Sequence, residues 1–481
     1  MQPITNKAYK LLHNGCIALS QVEANGIRID VDYLNRTIAE TTAKVKNLLD
    51  KLKTDKIYKM WKKIYGQDAN IGSREQLGNI LFNHMGYESV ALTDTGRHKT
   101  DKNALDILDV PFVRNFLEIE RLKKANSTYL KGVLKEVVDG YLHPVFNLHL
   151  VQTFRSSSDS PNFQNIPIRN PDTAKLIRPA FISRDNHQLV EIDYSGLEVH
   201  TAAWYHKDPV MLKYLFNKKE DEYGNPLKDM HRDMARQCFM LPREELYWKE
   251  DKKDAKRIKD IRYCGKNMFV FPEFYGDYYI DCATALWNAI GTMKLTTRNG
   301  VSIYDHLVGK GVFKLGLCNP DKKPCKGTFE KHIQNVEDNF WNNRFTAYNR
   351  WRKNWYYQYK ERGWFDNLTG FRFRGDFKRN EVVNYPVQSC AFHCLLWSLI
   401  RLQKLLKKYN MKSLIIGQIH DSIVADVYKK ELQNYLELCH QIMIDDIKKH
   451  WKWIITPISI EAEVSPVGGD WLQKEKTAIH N

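Results

Sequence analysis

Two apolar runs near the C-terminus, SLIIGQI (413–419) and SIVADV (422–427), are separated only by His420 and Asp421. Runs so closely joined fold as a β-hairpin, and its tip presents the Asp421 carboxylate. A third run, QLVEI, ends at Ile192 and delivers Asp193; beyond Ser195 the stretch GLEVHTAAWYH has helical spacing. Asp193 therefore stands where a strand hands over to a helix, a rim position from which a charge faces a cleft while its backbone stays fixed. Taken singly, Asp193 reads as a helix N-cap and Asp421 as a surface turn. Taken together they ask for more. Two carboxylates at contact distance cannot both ionise cheaply unless cations lie between them. A pair of magnesium ions bridged by two aspartates serves in-line phosphoryl transfer, one ion at the attacking oxygen and one at the leaving pyrophosphate.

The overall charge points to the same chemistry. The chain has 481 residues, enough for about three domains or lobes, and carries a formal charge of +16 with a pI near 9.2. That balance favours a polyanionic partner, nucleic acid before an anionic membrane surface. Aromatic residues lie among the basic ones, as in RWRKNWYYQYKERGW (350–364), a mixture that suits base stacking and also a helix with one aromatic and one solvated face. Nine scattered cysteines form no disulfide framework and suggest a reducing compartment. Cys318 and Cys325 flank a lysine-rich turn without a second CxxC or HxxxH, too few ligands for structural zinc. No apolar run reaches the length of a membrane span, and MQPITNKAYKLLHNGC lacks a signal-peptide core. The expectation is a soluble intracellular protein of the cytoplasm or nucleoid, or of a host cytoplasm if viral, with no membrane partner.

Periodicity gives an α+β, multi-lobed chain. Residues 1–130 read as mainly helical, with a long helix over 30–66 that starts at Asp30 and ends in lysines 51, 53, 56, 59, 62 and 63. Such a face is usually just solvated, although a helix on a phosphate backbone needs the same residues. Strand-like runs follow over 140–204, and residues 226–400 are helical again except for a Gly-, Lys- and Cys-rich patch at 295–327. Within the helical part lies DAKRIKDIRYCGKNMFVFPEFYG (254–276). Arg262 and Lys266 stand four apart and share a helix face, and Phe269, Phe271, Phe274 and Tyr275 lead to Gly276. Cations one turn apart can grip a triphosphate, and rings farther along can cover a base.

These segments occur in the order of a known family. The chain resembles the polymerase module of family A DNA polymerases, the group of bacterial DNA polymerase I and related phage replicases, from about residue 15 to 475. TFRSSSDSPNFQNIP (153–167) is similar to T-G-R-x-S-S-x-x-P-N-x-Q-N-I-P. DYSGLE (193–198) resembles motif A, RYCGKNMFVFPEFYG motif B on the fingers' O helix, NYPVQS (384–389) the Asn-x-x-x-Gln segment, and QIHDSIV (418–424) motif C. VSPVGGDW (464–471) resembles the C-terminal strand and VEANGIRID (22–30) the start of the thumb.

The resemblance implies a right-hand fold with an antiparallel-sheet palm and helical thumb and fingers. Its expected divisions are a thumb over 1–140, palm over 141–205, fingers over 206–376 with the O helix at 255–276 and an insertion around 277–335, and palm again over 377–481. It implies a DNA-templated DNA polymerase that extends a primer with dNTPs using two Mg2+ ions. Asp193 and Asp421 would bind the metals, with the Tyr194 carbonyl as a further ligand. Arg262 and Lys266 would hold the triphosphate, Lys266 also protonating the leaving pyrophosphate, with His231 nearby. Glu198 would pack with Tyr275 under the incoming sugar, where a 2′-hydroxyl clashes. Phe271, or else Val270, would lie beside the sugar. Arg155, Asn384 and Gln388 would read the minor-groove side of the primer–template, with Asn162 and Gln164 on the same duplex and His420 at the primer terminus.

Four departures from the family stand out. Lys266 to Tyr275 is one residue longer than usual and contains Pro272, which predicts a π-bulge or kink near 268–272. Motif C reads His420-Asp421-Ser422 where His-Asp-Glu is usual. Phe154 replaces a glycine, and Asn380 an arginine. The thumb begins almost at Met1, so no exonuclease cluster is expected before it, and a separate exonuclease or processivity subunit is a further partner to consider. The insertion either lengthens the fingers or docks such a chain. A single-subunit RNA polymerase shares His-Asp-Ser but must admit the 2′-hydroxyl, which Glu198 opposes. A catalytically inert nucleic-acid-binding subunit has no reason to keep both aspartates with Arg262 and Lys266.

Overall fold

The computed structural model describes residues 2–89, 96–106, 108–168, 170–217, 227–247, 252–316 and 324–479. Its centre is a five-stranded antiparallel sheet. From edge to edge the strands are Leu414–Ile419, Ser422–Tyr428, His187–Tyr194, Ile460–Val464 and Glu475–Thr477. The predicted hairpin is its first pair, closed by Ile419 opposite Ser422. His420, first of the two turn residues, takes the left-handed conformation at φ 48°. A bulge between Ile415 and Gly417 bends the hairpin. Gly417 has to be glycine, because a Cβ there would lie 2.5 Å from the Phe163 ring.

Alternation along His187–Tyr194 explains why a site sits at one end of this sheet. Gln188, Val190, Ile192 and Tyr194 are all buried on one face, and the Tyr194 hydroxyl reaches Ser398 of the long helix Arg379–Lys408 and the Met443 carbonyl. On the other face burial falls away from Leu189 through half-buried Glu191 to exposed Asp193. The sheet is thus anchored from behind and opens towards solvent where Asp193 ends the strand.

Among the described residues three apolar cores organise the rest. The sheet and the long helix share theirs with the first helix, Asn6–Asn25, whose Gly15 lies so close to Leu396 that a Cβ would stand 2.9 Å from it. A second core, with Leu52, Trp61, Leu81, Phe112 and Phe116, belongs to the N-terminal lobe. There the single helix expected over 30–66 is two, Val31–Thr54 and Lys56–Tyr65. Asp55 breaks the run, its carboxylate accepting the Ile57 N–H at 2.8 Å as the cap of the second helix. The third core packs the helices Met230–Cys238, Lys252–Gly265, Tyr279–Thr292 and Phe329–Asn339.

Prolines leave two visible marks. The bulge expected near 268–272 is a π turn over Lys266–Val270, and Pro272 falls in the first turn of the helix Phe271–Tyr275 that follows, where its missing N–H costs little. Pro386 lies inside Arg379–Lys408 and deprives the Val382 carbonyl of its helical donor. The Trp355 indole N–H takes that place at 3.0 Å. In the 295–327 patch a short helix, Ile303–Gly309, and isolated bridges Thr296–Ser302 and Lys314–Thr328 form the described part. Cys318 lies outside the described residues. Among the described residues seven cysteines are free and Cys325 is disulfide-bonded.

Candidate active site

The end of the central strand brings the two aspartates together. Ser422 is the register partner of Asp193, and the Tyr194 N–H points to the Asp421 carbonyl at 3.4 Å. Although Asp193 reaches solvent, it is pushed up to about 7 by partial loss of hydration and by the neighbouring acids Asp421, Glu191 and Glu461. Asp421 is pushed up to about 6 by burial and by Glu198, against the pull of Arg155. Its Oδ1 is buried with no hydrogen-bond partner among the described residues. The turn that carries it is held from below: Gln164 Nε2 donates to Ser156 Oγ and Gln418 Oε1, both at 2.7 Å, and Gln418 Nε2 donates to the His420 carbonyl at 2.6 Å. Gln164 thus supports the motif C turn. Asn162 and His420 are exposed at the surface of the same region.

Glu198 lies in the first turn of the helix Leu197–His206, and both of its oxygens are taken. Arg155 pairs with Oε1 and the Tyr275 hydroxyl donates to Oε2. Burial and the Glu198 charge raise the Tyr275 phenol further above its ordinary range. Asn384 Nδ2 donates to the Tyr275 carbonyl at 2.9 Å, and Gln388 follows one turn later on the same helix. Arg155 is engaged with Glu198 in this structure, a pairing the sequence did not suggest.

The third wall is the helix interrupted by the π turn. Val270 is fully buried, whereas Phe271 is half-buried. The Phe271 ring meets His231 edge-on at 5.7 Å and Tyr275 at 6.3 Å, and the Lys266 ammonium stands 5.1 Å from its centroid. The π turn ends before Phe271, whose ring lies among Lys266, His231 and Tyr275. His231 is pushed down to about 3 by burial and by the Arg262 charge. Arg262 is itself occupied, its Nε donating to Asp229 Oδ2 at 2.8 Å. Asp229 also caps the helix Met230–Cys238.

A family model described as DNA polymerase family A matches residues 35–263 and 338–472. The chain belongs to DNA polymerase family A. Among its relatives, DNA polymerase I of Lactococcus lactis subsp. cremoris is 26% identical over 448 residues, covering 89% of this chain and 42% of the relative. Thermostable DNA polymerase I of Thermus aquaticus is 24% identical over 475 residues, covering 95% and 47%, and the DNA polymerase of Bacillus phage SP01 is 26% identical over 433 residues, covering 84% and 40%. The chain therefore spans less than half the length of these curated relatives. In fold it is similar to the POL domain of Pol1 from M. smegmatis, solved in complex with DNA primer-template and dNTP, at a TM-score of 0.67, 20% identity and coverage of 96% of this chain and 70% of the other. The sheet lobe is thus the palm of a right-hand polymerase fold, and the two helical lobes are thumb and fingers. The family match is interrupted over 264–337, which takes in the π turn and the Gly-, Lys- and Cys-rich patch.

Sequence reasoning missed Asp229 and the Arg155–Glu198 pair, because each partner lies 33 or 43 residues away in a segment with no pattern of its own. The only available signal for Asp229 was its place as a cap in KDMHRDMA.

Proposed function

We propose that this family A polymerase chain extends a primer 3′ end with dNTPs, copying a DNA template, and that two magnesium ions assist the transfer at Asp193 and Asp421. The observation that carries the reading is the meeting of these two acids, remote in sequence, at the ends of neighbouring strands on the open face of the palm. The residues fit such an ion. The Asp421 Oδ1 atom is buried without a partner among the described residues, and carboxylate oxygen is the donor magnesium prefers. When bound, magnesium supplies Lewis-acid charge that favours an ionised primer hydroxyl and a leaving pyrophosphate.

The chain's own groups do the rest. Arg262 leaves Asp229 to meet the triphosphate, and Lys266, beside Phe271, supplies a proton to the departing pyrophosphate. His231, neutral at physiological pH, donates a hydrogen bond rather than a charge. Phe271 and Tyr275 bracket the sugar, and Glu198, fixed by Arg155 and Tyr275, fills the space a 2′-hydroxyl needs. Arg155, Asn162, Asn384, Gln388 and His420 line the path of the duplex end, and Gln164 acts on it only through the turn it supports.

Primer extension with dNTPs or rNTPs, in magnesium or in EDTA, tests this. Extension with dNTPs that requires the cation is expected. Equal use of rNTPs would favour an RNA polymerase, and no extension an inert binding subunit.

A further inference from the structure

Ser422 occupies the motif C position where a glutamate is expected, and its hydroxyl lies 2.9 Å from Oε1 of Glu191. The Ile419 carbonyl is at the same distance, so one proton is shared between two acceptors. Glu191 stands two residues before Asp193 on the central strand, and alternation turns both towards the cleft face. Its other oxygen, Oε2, accepts the Trp471 indole N–H at 3.2 Å and pairs with the Lys474 ammonium. The Lys474 side chain is only 2% exposed and also lies 3.4 Å from Glu463 on the next strand. The Arg178 guanidinium covers the same Trp471 ring at 4.4 Å. An ion pair this enclosed survives only when its remaining donors and acceptors are satisfied, and here they are drawn from three distant segments. One carboxylate ties together the strand that ends in Asp193, the turn that carries Asp421, and the stretch 471–474.

We propose that Glu191, acting through Ser422, fixes the Asp421 turn against Asp193 and so sets how well the two aspartates bind a divalent cation. Glu191 lies on the strand next to the hairpin and acts on the turn through the Ser422 hydroxyl. Glu191 is in this sense a positioning residue. The inference rests on the proposed function only for the use of the cation, because cation binding can be measured without nucleic acid.

The test is a double-mutant cycle on the full chain, with Mn2+ binding read by electron paramagnetic resonance in the absence of DNA and nucleotide. Glu191→Ala and Ser422→Ala should each weaken Mn2+ binding by about tenfold, the scale of an outer-shell partner. The double variant should be no worse than the weaker single variant, because both changes break one link. Glu191→Gln, which keeps an acceptor for Ser422, should retain most of the affinity. In primer extension the magnesium concentration for half-maximal rate should rise by a similar factor, with unchanged primer–template Kd. Effects that multiply in the double variant overturn the proposal. So does an unchanged Mn2+ affinity in Ser422→Ala, which leaves the Lys474 pair intact and decides the matter even if Glu191→Ala fails to fold. Should the wild type bind Mn2+ with the expected coupling but extend no primer, the polymerase reading falls and this one stands.

Discussion

On the palm floor, Asp421 Oδ1 has no hydrogen-bond partner among the described residues and the strongest charges acting on Asp193 are acidic. On the facing wall, Arg262 is paired with Asp229, and Glu198 is held by both Arg155 and Tyr275. The floor is therefore raised in energy until a cation arrives, whereas Arg262 and Glu198 on the wall are paired within the protein until a ligand competes for their charges. Interactions gained only on reaching the transition state raise the rate, and interactions that must be exchanged govern affinity and selection. The floor should control whether transfer occurs, and the wall which nucleotide is accepted and how tightly.

The harshest way to break this comparison is to remove the floor. Asp193→Ala or Asp421→Ala should lower extension by about 10³-fold or more, with primer–template affinity within about twofold of wild type. Fluorescence anisotropy alongside the extension assay separates the two. If binding is lost together with extension, the aspartates serve folding rather than chemistry. Changes on the wall should look different. Glu198→Ala should leave dNTP extension largely intact but reduce the preference for dNTPs over rNTPs by about a hundredfold. An unchanged preference would remove Glu198 from sugar selection.

That contrast also separates what could be read from the chain. The floor was legible because each half is local: a hairpin joined by two residues, and a strand ending in Asp193, with Ile192 and Val190 marking the buried face. The π turn at Lys266–Val270 was legible too, since one extra residue and Pro272 leave a helix few alternatives. The break at Asp55 was missed although its cause is local, because Asp55 lies inside an otherwise continuous helical pattern. The partners on the wall were not legible at all. Asp229 meets Arg262, and Arg155 meets Glu198, only after separate segments have packed. The link from Ser422 to Glu191 joins positions 231 residues apart. Local spacing reports which way a side chain faces; it does not report which charge has been folded against it.

Asp229→Asn sharpens the view of the wall with a smaller effect. Asparagine caps a helix as well as aspartate does, so Met230–Cys238 should persist while Arg262 loses its charged partner. If the triphosphate has to compete with Asp229, the KM for dNTP should fall about threefold with kcat little changed. A rise in KM would mean that Asp229 instead holds Arg262 in its working position.

The smallest effect is the pH dependence of the floor, and its sign can be worked out. Asp193 and Asp421 ionise near 7 and 6 in the folded chain, against an ordinary value of 3.8. Between those values the folded state holds protons that the unfolded chain has released, so without a divalent cation these groups make stability fall as pH rises from about 4 to about 7. His206, His231 and His393, each pushed down to about 3 by burial, act oppositely. Below their ordinary value of 6.5 the unfolded chain binds more protons, and stability rises with pH across that window. The total curve therefore mixes two slopes, and only a difference isolates the floor. Asp193→Asn should melt higher than wild type in EDTA, with a gap that is larger at pH 8 than at pH 5. Magnesium should close that gap at pH 8 by stabilising the wild type alone, since the ion competes for the sites that protons hold at lower pH. A gap of equal size at both pH values would show that Asp193 is not held above its ordinary ionisation range, and the contrast between an uncompensated acidic floor and a wall of paired charges would fail at its first term.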